Sequence, residues 1–149
     1  MRQTVRAIVI NQDKLLVMHR NKFGHEYYAL IGGAIDAGET AEHALHRELA
    51  EESGIAVTNP RLVIIENAGE IYGTQYIYLC DYVSGEPALA ADSEETKINT
   101  LGRNLYQPLW LSLSELADAK LLPVELKALL LAYLKTGFPD QPVTLTVPS

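Results

Sequence analysis

Residues 40–53, TAEHALHRELAEES, contain no glycine or proline and are rich in Ala, Leu and Glu. They predict a helix that Gly54 can close in the left-handed conformation. At about 100° per residue, with Ala41 at zero, Ala44 falls at roughly 300°, Leu45 at 40°, Glu48 at 340°, Glu51 at 280° and Glu52 at 20°. The three glutamates thus extend the side that carries the small apolar residues, while His43, His46 and Ala50 lie opposite. If that side packs on a sheet, the carboxylates run along the same wall into its edge or a cleft. Like charges at i, i+3 and i+4 repel, and partial burial adds to their cost unless a cation compensates. Hard oxygen ligands clustered in this way suit Mg²⁺ or Mn²⁺. Arg47 is one turn from Glu51 and can brace it, but one guanidinium cannot neutralise three charges.

The rest of the chain supplies a sheet. Residues 4–10 and 14–20 are strand-like runs joined by Asn11, Gln12 and Asp13, which predicts a hairpin. A polar, aromatic stretch at 21–28 leads through Ala29, Leu30 and Ile31 to Gly32 and Gly33, where a backbone turn is expected. Residues 61–72 and 74–83 form a second strand pair around Gly73. Residues 84–102 read as a polar loop and 106–111 as a strand, with Ser112 or Ser114 capping a short helix. Leu126, Leu129, Leu130, Tyr133 and Leu134 make the apolar stripe of a last helix. The expected organisation is one domain, 1–136, followed by an extended or frayed tail, 137–149.

Charge and cysteine usage exclude several function classes. The 149 residues carry 12 Lys+Arg against 19 Asp+Glu, a net charge of −7, with 48% apolar residues. That apolar share fills a core and rules out disorder and fibrous repeats. An acidic chain is a poor binder of nucleic-acid backbones, so a stable nucleic-acid complex is not expected. Much of the acidity is local, because residues 36–52 hold six acids and one arginine, and Asp92, Glu94 and Glu95 add three more. The first residues offer no uninterrupted apolar run for a leader or a membrane span, which gives a cytoplasmic expectation. Cys80, alone and inside YIYLCDYV, is expected to be an inert core thiol.

These residues also match a family pattern. Gly33, five residues, Glu39, seven residues, then Arg47-Glu48-Leu49-Ala50-Glu51-Glu52-Ser53-Gly54-Ile55 is similar at every fixed position to the Nudix hydrolase (MutT-like) signature, Gly-x5-Glu-x7-Arg-Glu-U-x-Glu-Glu-x-Gly-U with U aliphatic. The resemblance implies an α/β fold, a Nudix-type α/β/α sandwich with a mixed central sheet. It also implies Mg²⁺- or Mn²⁺-dependent hydrolysis of a nucleoside diphosphate linked to another group. By the same resemblance Glu48, Glu51 and Glu52 are metal ligands, with Glu48 also a candidate base. Arg47 orients them, Glu39 holds loop and helix together, Gly54 ends the helix, and Gly33 lets the loop turn beneath the acids.

Relatives often complete the site with a further acid, for which Glu95, then Glu94, is the candidate. Arg6 and Arg20, with Lys22 and His19, are placed to reach substrate phosphates, and Tyr28 or Tyr27 to stack on a base. Many relatives have Pro where this chain has Ile31. Ile71 stands where ADP-ribose-type members have Pro, and Tyr72 resembles a marker of dinucleoside polyphosphate hydrolases. Relatives commonly dimerise, so a homodimer is compatible with the resemblance. Two rival readings remain: a non-catalytic nucleotide-sensing module of the same fold, and an interaction protein whose acidic stripe faces solvent.

Overall fold

The computed structural model describes residues 2–148. The first strands, β1 (Gln3–Asn11) and β2 (Lys14–Lys22), are joined by Gln12 and Asp13, both in the left-handed region at φ 51° and 62°. Two consecutive positive-φ residues make a tight hairpin turn. The hairpin pairs only at its tip, Ile10 with Leu15 and Asn11 with Lys14. Beyond it the strands part. β2 continues between β3 (His25–Ala29) and β7 (Asn104–Ser112), both antiparallel to it. β1 lies between β4 (Ile31–Ala34), antiparallel, and β6 (Thr74–Ser84), parallel. β5 (Ala56–Asn67) then pairs antiparallel with β6 and parallel with β8 (Val143–Thr146), completing a mixed sheet of 8 strands.

Four helices accompany the sheet: α1 (Ala41–Ser53), α2 (Gly69–Tyr72), α3 (Glu94–Asn99) and α4 (Val124–Thr136). Alternation along β1 assigns its faces. Val5, Ala7 and Val9 pack toward α1 with Ala44, Leu45 and Leu49, while Ile8 packs toward α4 with Ile64, Ile77, Leu126 and Leu130. The result is the expected α/β/α sandwich. Each fully buried leucine of α1 contributes about 1.5–3 kcal/mol of transfer free energy. Cys80 is a buried core thiol whose pKa burial pushes up to about 12. Among the described residues no helix is long and apolar enough to cross a membrane.

Several local expectations are corrected. The polar stretch at 21–28 contains β3, because its alternating residues complete a sheet edge beside β2. The run at 61–72 ends as a strand at Asn67 and turns into α2. The loop at 84–102 contains α3, capped by Ser93 Oγ accepting from the Thr96 N–H at 3.1 Å. The tail takes the extended one of its two expected forms. Its residues 143–146 find the open edge of β5, where backbone groups lacked a partner. Ser112 occupies the cap position of a 3₁₀ turn, Leu113–Glu115, without a side-chain cap bond.

The limits of α1 follow the sequence closely. Thr40 Oγ1 accepts from the His43 N–H at 3.1 Å, and Gly54 closes the helix at φ 69°. Replacing Thr40 by Ala removes that cap and is expected to lower unfolding stability by about 1 kcal/mol in a denaturant titration, with β-sheet content unchanged.

Candidate functional site

α1 crosses the α1 face of the sheet beside β4, and its acids meet the strand where the two glycines lie. Neither glycine makes a turn. Both belong to β4, paired with Arg6 and Val5 of β1, and neither has positive φ. Their role is close approach, which corrects the loop-turning role expected for Gly33. A Cβ on Gly33 would stand 2.5 Å from the Glu48 carboxyl carbon, and a Cβ on Gly32 would run into the Val5 carbonyl. The bare strand lets α1 settle with Glu48 directly over the backbone.

Glu39 and Arg47 fix this arrangement. The Arg47 guanidinium donates to both Glu39 carboxylate oxygens, Nε at 2.8 Å and Nη2 at 2.9 Å, and also to the Ala34 carbonyl at 3.1 Å. Such a two-pronged pair is geometrically specific and charge-assisted. Glu39 further accepts from the Asp36 N–H at 3.0 Å and lies 2.7 Å from His43 Nδ1. The Arg47 bonds, then the Asp36 N–H and His43, hold the Glu39 carboxyl down at about 2 despite opposing desolvation. Glu39 thus ties the loop before the helix to the helix itself.

Arg47 also reaches Glu48 at 2.9 Å and Glu51 at 3.5 Å. The three acids stand in different surroundings. Glu51 is half-exposed, Glu48 is 14% exposed, and Glu52 is buried with one oxygen accepting from the Gly32 N–H at 3.2 Å. Burial pushes the Glu52 carboxyl up to about 8, with Glu48 and Glu95 adding to the rise and Arg6 opposing it. Burial raises Glu48 too, against Arg47, with help from Glu51 and Glu95. An acidic stripe facing solvent, as the interaction-protein reading requires, is therefore excluded.

Among the described residues there is no preassembled group of three or more acids, His or Cys at metal spacing. The donor set still fits a hard divalent cation. Mg²⁺ is ordinarily held by one or two carboxylates, with waters and substrate phosphates completing its shell. Glu48 and Glu52 are such carboxylates; burial chiefly raises their proton affinities and neighbouring carboxylates add to the rise, a cost that a bound cation would relieve.

The outlying residues divide. α3 brings Glu95 close enough for its charge to act on Glu48 and Glu52. Arg6 is within charge influence of Glu52, Glu48 and Glu66, and is bonded through Nε to Gln75 Oε1 at 3.0 Å and through Nη1 to the Leu30 carbonyl at 3.3 Å. Arg6, Tyr72 and Tyr27 line a cavity of about 580 Å³ between the sheet and the start of α4. Tyr28 and Arg20 are not brought to it. Tyr28 points to the other side of β3, bridges to Leu121 and packs on the α4-side core. Arg20 stacks on Tyr106 at 3.7 Å and bonds Asn104.

Sequence reasoning missed Glu66 altogether. It is 1% exposed, on β5, and lines the same cavity. An acid two residues after Ile64 in a strand falls on the core face, and that period-2 placement was the available signal.

Comparison with known proteins bears on the whole of this arrangement. The NUDIX domain pattern matches residues 1–131. The chain belongs to the NUDIX family. Among curated relatives of this NUDIX chain, the NAD-capped RNA hydrolase NudC of Photobacterium profundum is 33% identical over 78 residues, 52% of this chain and 29% of the relative. The protein of the same name from Photorhabdus laumondii is 36% identical over 72 residues, 48% of this chain and 28% of the relative. The matches therefore span under a third of those relatives' length. A NUDIX hydrolase from Nitrosomonas europaea superposes with a TM-score of 0.72 at 16% identity, covering 99% of this chain and 79% of that one. An ADP-ribose pyrophosphatase from Streptococcus suis gives 0.64 at 19%, covering 98% of each. At such identities the structures speak for the fold.

Proposed function

We propose that this NUDIX chain hydrolyses the pyrophosphate bond of a small nucleoside diphosphate derivative with the help of Mg²⁺ or Mn²⁺. The observation that carries the reading is the placement of Glu48 and Glu52 over β4, Glu48 held by Arg47 at 2.9 Å and Glu52 by the Gly32 N–H at 3.2 Å, with Glu39 bracing Arg47 at 2.8 Å. Glu48, Glu51 and Glu52 would hold the cation, which supplies charge neutralisation of the pyrophosphate when bound. Arg47 keeps Glu48 and Glu51 in place, and Glu39 keeps Arg47 in place. Glu48, within charge influence of Glu95, accepts the proton of the attacking water. Oxygen of that water forms the new P–O bond, and the bridging oxygen leaves with the electrons of the bond that breaks. Arg6 binds phosphate oxygens, and Tyr72 offers an aromatic face. No covalent nucleophile is needed. The substrate is a soluble small molecule, and the cytoplasm is where the chain would meet it.

The test is a panel of nucleoside triphosphates, ADP-ribose, NAD, dinucleoside polyphosphates and nucleotide sugars, assayed with Mg²⁺ and with chelator, on the wild type and on Glu51→Gln. Metal-dependent release of a nucleotide product, falling by about 10²-fold or more in the variant, is expected. Turnover that survives both chelation and substitution overturns the mechanism. Tight nucleotide binding with no metal-dependent product establishes the sensing module instead.

A further inference from the structure

The cavity beside Arg6 contains a group that the hydrolytic reading does not use. Its walls are largely apolar, with Leu30, Pro123 and Leu126 among them, and its volume lies in the usual range for small-ligand pockets, about 300–1,000 Å³. Glu66 is set into this wall. The residue is 1% exposed, and its Oε1 is fully buried with no hydrogen-bond partner. The other described atoms in that condition are Thr4 Oγ1 and Arg20 Nε, neither of them an acid oxygen. A buried acceptor without a donor is costly to the fold, so a carboxylate retained there points to a donor that arrives with a ligand.

No protein donor bonds Glu66 Oε1 among the described residues. Arg6, the cation nearest in charge influence to Glu66, spends its Nε on Gln75 and an Nη on the Leu30 carbonyl. No ion pair joins it to Glu66 within 4.0 Å among the described residues. Arg6 does connect the two places: it lines the cavity and donates to the Leu30 carbonyl at 3.3 Å, two residues before Gly32, whose N–H donates to Glu52 at 3.2 Å. Under the hydrolytic reading, a nucleotide whose phosphates lie at the glutamates of α1 would place its base in this cavity, where Tyr72 supplies a ring.

The chemistry of a carboxylate then narrows the base. An ionised carboxylate is acceptor-only and takes two parallel N–H donors. Among the common bases only guanine presents two adjacent donors, at N1 and N2. Adenine and cytosine set one amino group beside a ring acceptor, and uracil sets one N–H between two carbonyls. Hypoxanthine keeps the N1 donor and lacks the amino group.

We propose that Glu66 is a specificity-determining residue, its buried carboxylate selecting substrates whose base offers two adjacent N–H donors, as guanine does. The proposal rests on the hydrolytic reading for the placement of the phosphates. Burial is the largest influence on the Glu66 carboxyl and raises its proton affinity, with the Glu125 charge adding to the rise and Arg6 opposing it. A paired guanine edge shifts that balance toward the anion.

The experiment measures binding of GMP, IMP, AMP and CMP by equilibrium dialysis to the wild type and to Glu66→Gln. It also measures kcat/KM for the corresponding triphosphates with Mg²⁺. Wild type is expected to bind GMP about tenfold or more tightly than IMP, AMP or CMP. Glu66→Gln turns an NH₂ toward the guanine donors and is expected to lose that preference, gaining relatively on AMP and CMP. The GMP to IMP comparison removes one donor from the ligand and leaves the protein untouched, so it stands even if the variant fails to fold. Equal binding of GMP and IMP by the wild type, absence of binding by all four, or an unchanged base preference in a folded Glu66→Gln overturns the proposal. Guanine-selective binding without hydrolysis of any triphosphate overturns the proposed function and leaves this inference standing. Hydrolysis of all four alike does the reverse.

Discussion

Glu52→Gln is expected to lower metal-dependent turnover by about 10³-fold while leaving the fold intact. The carboxamide has nearly the shape of the carboxylate, and its oxygen can still accept from the Gly32 N–H at 3.2 Å. What disappears is the charge, and with it a ligand worth several kcal/mol of transition-state stabilisation, at about 1.36 kcal/mol per tenfold in rate. Steady-state kinetics at saturating Mg²⁺ separates the cases. A mere loss of metal affinity is rescued at high Mg²⁺, whereas loss of charge at the reacting phosphate is not. Turnover within about tenfold of wild type would remove Glu52 from the site.

The same substitution carries a stability signature of opposite sign. The Glu52 carboxyl stands at about 8 in the folded chain against 4.5 as its ordinary value, chiefly because of burial. A folded-state value above the unfolded one means that the native protein holds a proton the unfolded chain releases. The associated stability is fully present below about pH 4.5 and is lost as pH rises through about 8. Without metal, the wild type is expected to lose on the order of a few kcal/mol across that window, measured by urea titration. Glu52→Gln should flatten the slope and be the more stable protein at pH 8. Mg²⁺ should restore stability to the wild type at pH 8 and do little for the variant, because a ligand stabilises only the state that binds it.

Legibility of this site from sequence follows the range of the interactions that build it. α1 and its acids could be placed because the cap residue, the glycine closure and the helical period all lie within residues 40–54. Residues 94–99 and 69–72 are too short for propensity to speak, so their helices were not foreseen. Residues 143–146 needed knowledge that β5 presents an open parallel edge some eighty positions earlier in the chain, and no local pattern holds that. Tyr27 and Tyr28 are adjacent and chemically alike. The register of β3 against β2, which pairs Arg20 with Tyr27 and His19 with Tyr28, decides which ring faces the cavity. Glu66 lay hidden in LVIIEN because the register shift between Leu62 and Ile64 leaves only the short step from Ile64 to Glu66 in regular alternation, a signal too brief to stand out from the run before it. Sequence could likewise mark Gly32 and Gly33 as special without saying whether their need was a positive φ or the nearness of another chain segment.

That last ambiguity has a measurable resolution, because the two neighbouring glycines should fail in different ways. In Gly32→Ala the new Cβ meets the Val5 carbonyl and the Arg6 Cα of the paired strand. Backbone atoms inside a sheet cannot step aside alone, so β1 and β4 must separate at the centre of the core. A loss of about 3 kcal/mol or more is expected, at the upper end for overpacking. In Gly33→Ala the Cβ meets only the Glu48 carboxyl group, at 2.5–2.6 Å, the far end of a side chain with rotatable bonds. The side chain can yield while the strands stay paired, so stability should change by less than about 1 kcal/mol. Glu48 is then moved off the place that Arg47 holds for it at 2.9 Å. A displacement on the order of 1 Å can cost about 10²-fold in rate. Turnover should fall by that amount in a protein whose urea midpoint is nearly that of the wild type. If Gly33→Ala unfolded the chain as readily as Gly32→Ala, the glycine would serve the strand and not the carboxylate. If it left kcat unchanged, Glu48 would have no part in the reaction that needs its present position.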